Sequence, residues 1–332
     1  MGSGDPSVLE SPSGRYRRGC VCFADIWTMS SAMIRCLDEA RRLAPLDVDL
    51  LILGETGTGK NLLAQAVHSA SRRAKGPFVA KNVGSIPSAL AEDELFGHEA
   101  GAFSEARTRR RGLFELASGG TLFFDEIGTM SPDVQAKILS AVELKRIRRL
   151  GGEEETQCDV RLICATNADL PKAIASGALR EDLYFRLARH ILRVPPLRAR
   201  SEDIPMLVDR FVALDNVTYN RAVRRVTADC VSRLLEYPWP GNLRELRFRI
   251  SSAVARCDGE ELSSDLVFPE AEPERDGSIP PRQELSLAEA ERRHIRRVLT
   301  LTGWCVSEAA RELGISRPTL RKKIAKYGLK KA

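Results

Sequence analysis

The 332-residue chain has no stretch approaching the roughly 18 consecutive apolar residues that a bilayer span needs, which excludes a helical membrane protein. Met1 to Gly19 is rich in Gly, Ser, Pro and Arg without an apolar core, so it is no secretory leader; residues 1–22 are expected to form a disordered tail. The eight cysteines include no C-x-x-C pair, so metal-ligand spacing is missing. Cys164, inside the apolar run RLICATN, is expected to be a buried small hydrophobe. Reduced thiols and a cytoplasmic location fit this usage. There is no internal repeat. What remains is 43% hydrophobic and 29% charged, ordinary for a soluble globular protein long enough for two domains.

The net charge of +6 is uneven. From Ser286 to Ala332 there are 12 Lys and Arg against 4 Asp and Glu, leaving 39 against 41 for the rest. A weakly acidic body with a basic end points that end toward a polyanion.

Short continuous apolar runs, Asp49–Gly54, Pro77–Lys81, Thr121–Asp125, Val160–Ala165 and His190–Val194, suit strands buried on both faces of a parallel sheet. Helical patterns between them, such as Asn61–Arg73 and Pro132–Leu144, make residues 23–195 an α/β unit. No strand-like run follows Pro196. Ser201–Leu214, Thr227–Glu236 and Leu243–Cys257 read as helices of a small lid over 196–268. Residues 269–284 are Pro-rich and charged, a linker. An all-α domain follows over 285–332.

Gly54-Glu55-Thr56-Gly57-Thr58-Gly59-Lys60 follows a strand and opens a helix, where backbone N–H groups can wrap phosphates. Lys60 would reach the β- and γ-phosphates of ATP. The next residue is Asn61 rather than the usual Ser or Thr, so Mg²⁺ needs another anchor. Thr121-Leu122-Phe123-Phe124-Asp125-Glu126 supplies it: Asp125 at the metal and Glu126 polarising the attacking water. Either motif alone could be only a tight turn or a helix start; together and in this order they point to nucleotide hydrolysis.

The stretches GETGTGK, ELFGHEAGAF, GGTLFFDEIG, RLICATNADL, LREDLYFRL, PPLRARSEDIP and YPWPGNLREL resemble the AAA+ domain of bacterial enhancer-binding proteins, the sigma-54-dependent activators. The resemblance spans Phe23 to about Arg256. It implies that Asn82 restrains the catalytic glutamate, that Thr166 and Asn167 sense the γ-phosphate, and that Arg244 of the lid contacts nucleotide. It implies further that Arg180 and Arg186 serve a neighbouring subunit's ATP, hence a homo-oligomer in the form of a hexameric ring. Two plainer roles stay open: Arg186 pairing with Asp182 one helical turn earlier, and Asn82 as a turn former.

In that family a Gly-Ala-Phe-Thr-Gly-Ala loop touches sigma-54. Here it reads Gly101-Ala102-Phe103-Ser104-Glu105-Ala106. Phe103 is kept, whereas Glu105 adds a charge and removes glycine's access to positive φ. Four arginines follow in Arg107–Arg111. Engagement of sigma-54 RNA polymerase and loss of that activity both remain open.

At the basic end, Ala288–Thr302 reads as a helix. Ser307 is expected to cap a second helix and Ser316 a third, with Gly314 turning between them and Pro318 in the last one's first turn. This resembles a Fis-type helix-turn-helix; a helical dimerisation module is the plainer reading. Arg317 and Arg321 are the candidate base contacts. Thr319 points outward with them, and Lys322, Lys323 and Lys326 are candidate phosphate contacts. No sensor domain fits before Phe23, so control by a separate regulatory protein is expected. The competing function is a DNA-binding regulator whose nucleotide only sets oligomeric state, acting at sigma-70-type promoters.

Overall fold

The computed structural model describes residues 21–103, 106–269 and, apart from 293, 297, 300 and 301, 291–329. Nearly all of the expected tail and linker, the start of the helix over 288–302, and Ser104 and Glu105 lie outside these. The chain divides into two compact units at residues 270/271, inside the expected linker.

In the first unit five parallel strands form one sheet: β1 (Leu50–Leu53), β2 (Phe78–Asn82), β3 (Thr121–Asp125), β4 (Arg161–Thr166) and β5 (Ile191–Arg193), in the order β2-β3-β4-β1-β5. The apolar runs are continuous because successive side chains serve two different cores. Leu51, Phe124, Leu162 and Cys164 pack with Leu95, Phe114 and Ile138 on one face. Leu50, Ile52, Phe123 and Ile163 pack with Leu37, Leu63 and Val67 on the other. The flanking helices are α1 (Ser31–Leu43), α2 (Lys60–Ser69), α3 (Pro132–Leu144) and α4 (Glu181–Leu187). Ser131 before Pro132 starts α3 within its expected bounds. Helix α2 stops four residues short of Arg73.

Two hairpins were not expected: Gly97–His98 with Arg110–Arg111, and Arg146–Arg148 with Glu155–Gln157. Two or three residues per strand are too few to leave an alternation.

The lid consists of α5 (Ile204–Tyr219), α6 (Ala228–Glu236) and α7 (Asn242–Arg256) around fully buried Trp239, whose indole N–H donates to Leu234 O at 2.8 Å. Contrary to expectation, a strand pair does follow Pro196. Arg225–Val226 runs parallel to Glu261–Leu262, again too short for a sequence pattern. Buried Asp203 gathers Thr28 Oγ1 (2.7 Å) and the N–H groups of Met29 (2.6 Å) and Ser30 (2.9 Å), pinning the chain ahead of α1 to the lid.

In the second unit α8 (Val306–Glu312) and α9 (Arg317–Lys326) close on Ile295, Leu299, Ala309, Ala310 and Leu320. Ser307 does not cap α8. The helix begins at Val306, so Cys305 stands in the N-cap place and Ser307 already lies inside. Ser316 does cap α9, accepting from Thr319 N, and Gly314 turns at φ +63°.

Candidate functional site: the phosphate loop and its lid

Parallel register collects the expected groups at one edge of the sheet. Leu53 stands opposite Thr166, Asp125 opposite Ala165, and Asn82 opposite Asp125. The loops leaving the strands' carboxyl ends therefore carry Gly54–Lys60, Asn82, Asp125-Glu126 and Thr166-Asn167 together, where open α/β sheets place their ligands.

Gly57 (φ +80°) and Gly59 (φ +102°) take conformations that L side chains avoid, and Gly59 leads into α2. Thr58 Oγ1 donates to Glu55 O at 2.8 Å. Buried Lys60 donates from Nζ to Gly54 O (2.8 Å) and Glu55 O (3.2 Å). Burial lowers its pKa, opposed by the nearby charges of Glu126 and Asp125, which places all three in one electrostatic neighbourhood. Asn61 is exposed and accepts from Gln65 Nε2 along α2 (2.8 Å), so its side chain is engaged on the helix surface.

Asp125 Oδ1 is buried without a hydrogen-bond partner among the described residues. An open carboxylate lone pair at the end of β3 fits a hard divalent cation or its bound water. Glu126 sits in the left-handed region (φ 63°, ψ 48°), sparsely populated by side-chain-bearing residues and held only when its surroundings determine it. They do: Glu126 N donates to Ala165 O at 2.8 Å, and Thr129 Oγ1 donates to Glu126 O at 2.8 Å. Asn167 N lies 3.5 Å from Glu126 Oε2, while Asn167 Nδ2 donates to Thr56 Oγ1 at 2.8 Å, joining the end of β4 to the phosphate loop. Thr166 is buried and its Oγ1 accepts from Ala168 N. Asn82 is exposed, and among the described residues no hydrogen bond joins it to Glu126.

The lid holds the loop through residues that sequence reasoning missed. Arg198 reaches both oxygens of Glu55 (2.7 and 2.5 Å), and its guanidinium holds that carboxyl below the usual range. Asn242, fully buried, donates to Thr56 O (3.0 Å) and Glu55 Oε2 (3.2 Å). Arg200 donates to Thr58 O (2.9 Å). Arg198 and Arg200 lie in PPLRARSEDIP and Asn242 in PGNLREL, but nothing local marks them. Exposed Arg244, two residues into α7, places its Cβ 3.1 Å from where a Cβ on Gly57 would stand, beside the phosphate loop.

The two arginines of LREDLYFRL part company. Arg180, half-buried, pairs with Asp182 (2.7 Å). Arg186 is half-buried and pairs with Asp49 (3.2 Å). The open alternative of an Arg186–Asp182 pair is overturned, because Arg180 occupies that carboxylate.

In the loop over Gly101–Ala106, Gly101 N donates to Ala106 O at 2.7 Å, closing the base. Gly101 takes φ +84°, and Ala102 leans on Gly151. Phe103 is 41% exposed and meets His98 edge-on at 4.9 Å between centroids. Of the four arginines beyond it, Arg109 pairs with Glu99, Arg110 with Asp93 and Glu94, and Arg111 with Glu115. In the second unit Arg317, Thr319, Arg321, Lys322 and Lys326 are exposed on α9. Lys323 is turned inward to Glu291, which also accepts from Tyr327 Oη, so Lys323 does not share their solvent face.

A five-stranded parallel sheet with a phosphate loop after its β1 strand and a helical lid clasping that loop defines an AAA+ unit; a small helix-turn-helix follows it. The Sigma-54 interaction domain family matches residues 26–193, the AAA+ ATPase lid domain 198–283, and the Fis family of bacterial regulatory proteins 286–327. The transcriptional regulatory protein GlrR of Escherichia coli (strain K12) is 40% identical over 304 residues, 92% of this chain and 68% of GlrR. The C4-dicarboxylate transport transcriptional regulatory protein DctD of Pseudomonas aeruginosa is 42% identical over 309 residues, 90% of this chain and 63% of DctD. NtrX from Brucella abortus, solved in complex with ATP and with ADP, is similar with TM-score 0.71 at 32% identity, covering 92% of this chain and 69% of NtrX. The chain belongs to the sigma-54-dependent transcriptional activators, with AAA+ and helix-turn-helix domains.

Proposed function

We propose that the chain binds and hydrolyses ATP with Mg²⁺ in a homo-oligomeric ring, a hexamer in the cytoplasm, and uses the turnover to remodel sigma-54 RNA polymerase from a DNA site held by α9. The observation that carries the reading is the gathering of Lys60, Asp125, Glu126 and Asn167 around one glycine loop, with Asp125 Oδ1 buried and unpartnered among the described residues. The N–H groups of Gly57–Lys60 and the Lys60 ammonium take the β- and γ-phosphates. Asp125 holds Mg²⁺, which when bound neutralises charge on the phosphate oxygens. Glu126 orients and polarises the attacking water, and Asn167 couples that carboxylate to Thr56. Arg244 contacts the nucleotide from the lid, and Arg180 and Arg186 complete the site of the adjacent copy; such an arginine is worth roughly 10³–10⁵ in rate. The nucleotide assignment is supported by NtrX, which was solved in complex with ATP and with ADP.

On α9, Arg317 and Arg321 contact base edges while Lys322 and Lys326 meet phosphates. The test is turnover: phosphate release per subunit should rise with protein concentration and vanish in Lys60→Ala. Concentration-independent or absent hydrolysis would overturn the reading. Glu105 favours a second reading, a regulator of sigma-70-type promoters whose nucleotide sets assembly only. In vitro transcription with each holoenzyme, with and without hydrolysable ATP, separates the two.

A further inference from the structure

A single buried amide ties the turn behind Glu126 to the segment that presents Arg180. Gln135, in the first turn of α3, is fully buried. Its Nε2 donates to Met130 O (2.8 Å) and Ala178 O (2.7 Å), and its Oε1 accepts the N–H of Arg180 (2.8 Å). Both amide protons and the oxygen are therefore in use. Turned over, the amide would set its oxygen against two carbonyl oxygens and its NH2 against an N–H, so the network fixes its orientation. Two donors beside one acceptor is what a side-chain amide offers: a carboxylate has no donor, an ammonium no acceptor, and a neutral imidazole one of each.

The two ends of this bridge differ in how they are otherwise held. Met130 closes the short turn that begins at Glu126, and that turn is fixed on the sheet. Glu126 N donates to Ala165 O (2.8 Å), Thr129 N to Glu126 O (3.0 Å) and Met130 N to Ile127 O (3.4 Å). Ala178 and Arg180 lie instead on a stretch ahead of α4 in which Ala175 to Ala178 are exposed. Gly177 there has nothing within 4 Å of a would-be Cβ. Leu179 N donates to Ala173 O (3.0 Å), and the Arg180 guanidinium donates to Asp182 (3.0 and 2.7 Å), both local contacts. Gln135 reaches this stretch from another element, 43 and 45 residues away.

We propose that Gln135 is a positioning residue: its amide takes the fixed turn behind Glu126 as a reference and sets the backbone of Arg180, and with it the start of α4, for the neighbouring copy's nucleotide. This rests on the ATPase reading above. Gln135 acts through Arg180 and does not touch nucleotide. Its loss should spoil the chain as a donor of the arginine and leave it usable as an acceptor, because its own phosphate loop and Glu126 are held by other bonds.

The test measures ATP turnover of the full chain carrying Gln135→Met, which keeps the volume and removes all three bonds, or Gln135→Asn, which keeps the amide but is one methylene too short to span both ends. A misplacement of about 1 Å far from the chemistry can cost about a hundredfold. Each variant alone should therefore lose about ten- to a hundredfold in kcat while KM for ATP stays within about twofold. Mixed with Lys60→Ala chains, whose arginines are intact, either variant should rise severalfold above its own rate. Mixed with Arg180→Ala chains it should not, because neither partner then supplies a placed arginine. Rescue by both partners or by neither overturns the proposal, as does a wild-type kcat in Gln135→Met alone; a general loss of structure would be rescued by neither. Should thermal melts show that neither variant folds, amide exchange in the unsubstituted chain decides. The Arg180 N–H precedes α4 and stands outside its hydrogen-bond ladder, so its protection comes from Gln135. Slow exchange there is expected, and exchange as fast as that of an exposed loop overturns the proposal. The mixture of Lys60→Ala with Arg180→Ala chains, both with Gln135 intact, reports on the ATPase reading alone, and its silence is a distinguishable failure.

Discussion

Gly57 is where the phosphate loop touches the lid, and replacing it by alanine separates two costs. A Cβ there would lie 2.3 Å from the carbonyl oxygen of Gly241, a backbone atom with no side-chain freedom to yield. The residue also holds φ +80°, which for alanine costs about 1–2 kcal/mol. Gly177 supplies the comparison, since it holds φ +73° with nothing within 4 Å of its would-be Cβ. Gly177→Ala should therefore lose only the conformational term of about 1–2 kcal/mol, roughly 2–8 °C in Tm for a unit of this size. Gly57→Ala adds the overpacking of two backbones, about 1–3 kcal/mol more, or else moves the lid off the loop. Because Asn242, Arg200 and Arg198 share that junction, displacement should weaken a fluorescent ATP analogue at least about tenfold, which is about 1.4 kcal/mol. Melting curves and analogue titrations of both variants decide it. Equal Tm losses together with unchanged affinity in Gly57→Ala would refute the lid contact.

Further outcomes follow from single residues. Depressed carboxyls stabilise above their unfolded pKa and lose that contribution as pH falls through the folded one. The Glu55 tie, held below its ordinary value near 4.5 by Arg198, should thus persist through pH 5 and weaken below it, and Glu55→Gln should flatten the Tm-versus-pH slope in that acid range. Burial pushes the thiols of Cys36, Cys158 and Cys230 up to about 11 and that of fully buried Cys164 well above its ordinary value, whereas the Ser307 hydroxyl lowers exposed Cys305. Iodoacetamide at pH 7.5 should label Cys305 ahead of these four, which should react only on unfolding. On DNA, Lys322→Ala should reduce the salt slope by about 1, while Lys323→Ala, whose ammonium faces Glu291, should leave that slope unchanged and lower the melting temperature of the helix-turn-helix.

The sheet was legible because each buried strand carries an unbroken apolar run, and parallel register then forces Asp125, Thr166 and the phosphate loop to one edge. Helix α3 matched its expected bounds for a local reason, Ser131-Pro132 at its start. The expectations that failed share a different cause. Arg198, Arg200 and Asn242 reach the phosphate loop across more than 140 residues, and Arg186 finds Asp49 rather than the carboxylate one turn away. Such pairings are decided by packing, and spacing along the chain is silent about them. The strand pair within the lid and the two hairpins are too short to imprint a period, and α8 begins at Val306 because a backbone turn at Cys305, not a serine side chain, sets its start. Lys323 reads as one more cation in a basic run until Glu291 is brought beside it.

The central claim is that a triphosphate cradled by one copy is completed by an arginine of the next. Mixing Lys60→Ala chains with Arg180→Ala chains tests it directly, since each supplies what the other has lost. Both variants alone should be silent, and the mixture should regain ATP turnover as intact phosphate loops meet intact arginines. A mixture that stays silent while light scattering shows mixed oligomers, or an Arg180→Ala chain that hydrolyses ATP at the wild-type rate by itself, would contradict the account.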